Sequence, residues 1–158
     1  MKWIEKDLEQ YIKAKEYVDT VIVPLLPFQL STDTAMGKDA VQREALVVFL
    51  QELEKELTGR VMVTPEYNYL KSAAKEQEIE RMHTWIRELQ SQPFHHIFYI
   101  TNDSSWKKKE QSIEGTLLWM PGSTKGSVKS KEMQAVIQGQ VEQVSELIKS
   151  YWQESEEV

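Results

Sequence analysis

The chain has 158 residues, a net charge of −6 and no cysteine. This length suits one domain, which buries roughly 68–70% of its unfolded surface without staples. The absent thiols exclude disulfides, thiolate nucleophiles, zinc–thiolate sites and iron–sulfur clusters, and the acidic balance argues against a nucleic-acid partner.

The chain opens on a helical pattern. Trp3, Ile4, Leu8, Tyr11 and Ile12 recur at spacings of three and four, with charges between them. Acids stand where an export signal would have its apolar core. The longest strongly apolar run, Val21 to Phe28, holds two prolines and is far short of the about 20 residues of a membrane span. A cytoplasmic protein with no membrane partner is expected.

A β-branched run from Thr20 to Val23 reads as a strand buried on both faces, as in a parallel sheet. Pro24 is expected to end it, because proline donates no ladder bond. A polar loop is expected from Gln29 to Lys38. Asp39 then stands as an N-cap, with Gln42 three residues on as in a capping box. The helix carries Val41, Ala45, Val48, Phe49 and Leu53 on one face and stops at Gly59. A short strand follows, from Arg60 to Thr64. Pro65 either ends it or opens the next helix, which covers Ala73 to Leu89 with Ile79, Met82, Ile86 and Leu89 as its stripe.

A third strand spans His95 to Ile100, and Lys107 to Gln111 forms a turn of helix. The basic run Lys107-Lys108-Lys109 reads as a solvated face. A fourth strand, from Gly115 to Met120, is ended by Pro121-Gly122. The last helix runs from about Ser130 to Tyr151. Its inner face carries Met133, Val136, Ile137, Val144, Leu147, Ile148 and Tyr151. Residues 1–152 make the domain, and residues 153–158 an acidic tail.

Alternating helices and buried-type strands predict a three-layer α/β/α sandwich with a mainly parallel sheet of about four strands, Rossmann-like or flavodoxin-like. The link from Asn102 to Gly115 is at the lower limit for a parallel crossover. The fourth strand is therefore either parallel or an antiparallel edge.

The stretches MKWIEKDLEQYIKAKEYVDTVIVPLLP, HHIFYITND and LLWMPG, spread over the full length, resemble the uncharacterised YpiF-like proteins of spore-forming Gram-positive bacteria. The resemblance implies a bacterial cytosolic setting. It names no cofactor and no reaction.

Ligands of such sheets bind beyond the C-terminal ends of the strands. The loop after the fourth strand is rich in small and hydroxyl residues. Gly122, Ser123, Thr124, Lys125 and Ser127 form a candidate anion cradle before a helix N-terminus. It lacks the Walker A spacing, and Gly/Ser loops also simply connect elements. Glu66 and Asp103 are carboxylates at strand ends. They are the candidates for acid–base work if the chain is an enzyme, or else a first-turn acid and a helix cap. Tyr67 is placed either to stack on a base or sugar or to pack under a loop.

No metal site is expected. His95 and His96 point to opposite faces of a strand, and Glu80-Arg81-Met82-His83 is half of a di-iron motif without its second copy. Two functions follow as expectations. One is a domain binding a phosphorylated or nucleotide-like small molecule. The other is a non-catalytic interaction module that self-associates as a homodimer.

Overall fold

A computed structural model of the chain describes residues 1–122 and 127–157. β1 (Thr20–Phe28) lies at the centre of a five-stranded sheet. On one side it pairs with β4 (His96–Thr101), from Thr20 opposite His96 to Pro24 opposite Ile100. On the other it pairs with β2 (Val61–Val63) and then, further along, with β3 (Tyr67–Leu70). β5 (Thr116–Trp119) flanks β4. Every pairing is parallel, which settles the direction of the last strand. Its crossover from β4 passes through a 3₁₀ segment, Ser104–Ser112.

β1 does not end at Pro24 but runs through both of its prolines. Bonding direction alternates along a parallel strand. Ile22 accepts from Thr64 N at 3.0 Å and Phe28 from Lys71 N at 2.9 Å, so the even positions of β1 bond toward β2 and β3. Pro24 therefore lacks its N–H in the interval where β2 has ended and β3 has not begun. Pro27 faces the opposite way, past the last β4 pairing at Pro24 and Ile100. Between the pairs Ile22–Val63 and Leu25–Tyr67 the edge side takes one residue more than β1, a bulge around Pro65. Tyr67 to Leu70 is thus a strand that the sequence reading missed, and Glu66 precedes it instead of opening a helix.

The faces of β1 divide the core. Ile22 and Leu26 pack with Leu46, Phe49 and Leu53 of α2 (Asp33–Glu56) and with Ile137 and Ile148 of α4 (Lys131–Glu156). Val21, Val23 and Leu25 pack with Met82 and Ile86 of α3 (Lys75–Leu89) and with Trp106. Each such side chain contributes about 1.5–3 kcal/mol. The result is a three-layer sandwich. With β2 and β3 taken together, the strand order is 2-1-3-4, as at the start of a flavodoxin-like sheet.

α2 starts at Asp33, so the connecting loop is only Gln29 to Thr32. Asp39 is not a cap. Inside the helix its carboxylate has taken side-chain partners, Lys71 and Gln29, in place of backbone N–H groups. In α4, Ser130 caps through Met133 N at 3.1 Å, and the helix continues to Glu156. Val136 and Leu147 are exposed, contrary to the expected stripe, and Val141 and Trp152 fill the inner face instead. α1 (Glu5–Lys13) buries only Tyr11. Among the described residues no helix is long and apolar enough to cross a membrane.

Candidate functional site

β1 sends the chain through α2 toward β2, while its neighbour β4 sends it the other way, to β5. Diverging connections open a crevice at the C-terminal ends of two adjacent strands, the usual ligand position in open α/β sheets. A cleft of about 190 Å³ lies at this point, between the ends of β1 and β4 and the first half of α2. Its polar walls carry Asp39, Arg43, Lys71, Asn102, Asp103 and Ser104.

The charges in the walls are paired across elements. Asp39 of α2 takes Lys71 Nζ on one oxygen and Gln29 Nε2 on the other, both at 3.0 Å. Burial works against its charge, yet these bonds hold its carboxyl below the usual range. Arg43, one turn further along α2, pairs with Glu66 of the bulge. Asn102 donates to the carbonyl of Gln42 at 3.3 Å and so ties the end of β4 to α2.

Asp103 is the most constrained group. One oxygen accepts from Ser105 N at 3.0 Å and Ser105 Oγ at 2.6 Å. The other accepts from Tyr69 OH at 2.5 Å and lies 3.6 Å from Lys75 Nζ. Trp106 Nε1 donates to the same Tyr69 oxygen at 2.8 Å. The Lys75 ammonium sits 4.8 Å from the Tyr69 ring centre and 5.5 Å from that of Trp106. Burial opposes ionisation of Asp103, but the bonds from Ser105 and Tyr69 prevail and its carboxyl titrates low. Burial and the bond to Asp103 push the Tyr69 phenol far up.

Asp103 lines the cleft and caps the 3₁₀ segment. With its lone pairs engaged and its carboxyl held ionised, it is a fixed charge and a poor proton acceptor. Glu66 lies outside the cleft walls and is engaged by Arg43. Tyr67 cannot stack on a ligand. It is fully buried, bonds Glu78 at 3.0 Å and meets Trp85 edge-on at 5.2 Å. Gly122 lies against the side chain of Gln42, which itself lines the cleft. Ser127 accepts from Lys129 N at 3.2 Å within its own loop. Ser123, Thr124 and Lys125 lie outside the described residues. Among the described residues no three His, Asp or Glu side chains gather to hold a metal.

Sequence reasoning missed Arg43, Lys71, Lys75 and Trp106. The two wall cations belong to no motif, and only the fold brings them together. Trp106 carried a signal, a lone large aromatic inside a polar, basic stretch.

A family model described as a protein of unknown function (DUF2487) matches residues 9–152. Over 110 residues the chain is 30% identical to an uncharacterized protein, YpiF, of Bacillus subtilis (strain 168), an alignment covering 70% of this chain and 71% of that one. No solved structure matches.

Proposed function

The chain belongs to the DUF2487 family of proteins of unknown function, and from its geometry we propose that it binds a small phosphorylated molecule, of sugar-phosphate size, in the cleft between the ends of β1 and β4. The observation that carries this reading is the cleft's position at the point where strand connections diverge, with Arg43 and Lys71 in its walls. Its volume of about 190 Å³ is below the roughly 300–1,000 Å³ of drug-sized pockets. That favours a phosphate with a short polyol over a whole nucleotide.

The energies allow it. Micromolar to millimolar binding requires about 4–8 kcal/mol. Two charge-assisted bonds supply about 1.5–3 kcal/mol each. Loosening the surface pairs of Arg43 with Glu66 and Lys71 with Asp39 costs about 0–1 kcal/mol each. Asp39 and Asp103 repel a bare anion but accept from hydroxyls, so a sugar phosphate suits the mixed walls better than inorganic phosphate.

The test is thermal shift, then calorimetry, with inorganic phosphate, ribose 5-phosphate, glucose 6-phosphate and AMP. A ligand at about 100 times its Kd adds about 2.7 kcal/mol of stability, roughly 5–10 °C for a domain of this size. Sugar phosphates give the largest shift, and Arg43→Ala and Lys71→Ala abolish it. The absence of any shift, or shifts indifferent to both variants, rejects the reading. The alternative, a self-associating interaction module, is favoured by a separate feature, the apolar stripe of α1.

A further inference from the structure

Tyr11 and Leu8 of α1 pack inward, but the neighbouring apolar side chains do not. Trp3, Ile4 and Ile12 keep 61%, 47% and 67% of their surface exposed. Trp3 and Ile12 stand at the edge of a groove of about 690 Å³ that they line together with Leu8, Tyr11, Trp85 and Phe94, between α1 and α3. Exposed apolar side chains gathered around one recess and rimmed by polar residues are a candidate interaction surface. A protein-sized partner covers the groove and the exposed Ile4 together.

Two features indicate which partner. First, Trp3 and Ile12 line the recess yet stay more than half exposed, so one patch carries both a recess and the apolar rim that can fill a copy of it, as a two-fold contact requires. Second, the groove is flanked by Lys15, from the 3₁₀ turn Lys15–Tyr17, and by Glu88 of α3. They are opposite in sign, and neither forms an ion pair among the described residues. We infer that a second copy of this chain docks here, as a symmetric homodimer in which Ile12 and Trp3 of each copy enter the groove of the other. A two-fold axis through the groove then sets Lys15 of each copy against Glu88 of its partner, two equivalent pairs. The inference uses none of the cleft residues and stands apart from ligand binding.

Sedimentation equilibrium of the full chain over a range of concentrations tests it. The wild type associates to a dimer and no further, because a two-fold contact closes on itself. Ile12→Glu, at an exposed position, leaves the far-UV spectrum and melting of the monomer unchanged and weakens the dimer by at least about tenfold. Lys15→Glu and Glu88→Lys each place like charges together twice and weaken it. The double variant restores both pairs and returns the dimer to within roughly threefold of wild type. Three results would each overturn the inference: a monomer up to about 100 µM, a dimer indifferent to Ile12→Glu, or a double variant no better than the singles. A monomer that instead takes up a fatty acid would overturn it as well.

Discussion

Tyr69 stands between Asp103 and Trp106, donating to the first at 2.5 Å and accepting from the second at 2.8 Å. One phenol thereby joins the edge strand β3, the end of β4 and the 3₁₀ segment. Trp106 is wholly buried, so its indole N–H has no water to turn to. Tyr69→Phe preserves the ring and orphans that donor. An unsatisfied buried donor costs about 1–3 kcal/mol. Urea unfolding should show a loss in that range, and a change under about 0.5 kcal/mol would mean that the chain of bonds contributes little.

Stability should fall with acid in two stages. Burial opposes the charge of Asp19, but Arg60 grips it with two bonds, at 3.1 and 3.0 Å, and Thr20 adds another, so its carboxyl titrates low. Asp39 and Asp103 also titrate low. A carboxyl depressed in the fold stabilises it above the unfolded value of about 3.9 and loses that contribution as pH falls through the folded one. Burial, with Arg60 and His95 nearby, depresses His96, though Asp19 pulls the other way. Its contribution is complete above about 6.5 and fades as pH falls below it. Urea midpoints at about pH 7.5, 5.5 and 3.5 should show a shallow loss and then a steep one. His96→Gln should remove the shallow stage. Equal midpoints at the two higher values in the wild type would contradict the assignment.

What the sequence disclosed follows from where local pattern decides structure. Val21 to Val23 and Ile97 to Ile100 are apolar on both faces, as strands of a parallel sheet covered on both sides are. They are its two central strands. Pattern failed where a partner across the fold decides. Pro24 breaks a strand only if its missing N–H was needed, and here the neighbouring edge is interrupted at that point. Asp39 reads as a cap until Lys71 appears opposite it. Tyr67 to Leu70 alternates in burial, with Tyr67 and Tyr69 inward and Asn68 and Leu70 outward, but four residues are too few to separate a strand from a loop. Asp103 was legible as a strand-end carboxylate. Arg43 and Lys71 were not, because a surface cation on a helix or in a loop looks the same with or without a cleft beside it.

Two glycines should respond oppositely to alanine. Gly115 has φ +116°, and a Cβ there would stand 2.8 Å from the Ile97 carbonyl oxygen and 2.9 Å from the Tyr99 ring. Both neighbours belong to the core strand β4, so neither can yield cheaply. Gly115→Ala should destabilise by about 2–4 kcal/mol. Gly37 lies inside α2 with nothing within 4 Å of its Cβ position. Gly37→Ala should stabilise by about 0.5–1 kcal/mol through helix propensity. Thermal unfolding of the two variants decides the matter, and a shift in the same direction for both would refute the local accounts.

The loop after β5 should influence the cleft through Gln42, without itself touching ligand. A Cβ on Gly122 would come within 3.1 Å of the Gln42 side-chain amide carbon and 3.2 Å of its nitrogen. That is too close for comfort, but the obstacle is the free end of a flexible side chain. The Gln42 backbone is held separately, by Asn102 on its carbonyl, so helix and strand keep their places. Gly122→Val should therefore swing the Gln42 amide and reshape one wall of the cleft. Stability should change by less than about 1 kcal/mol, as for most substitutions outside the core. Sugar-phosphate affinity should fall about three- to tenfold, or roughly 0.7–1.4 kcal/mol. Gln42→Ala removes the side chain that Gly122→Val displaces, so combining the two should add little to the larger single effect. Calorimetry on the two variants and their double completes the cycle. Fully additive losses would show that the loop acts on the ligand by some route other than Gln42.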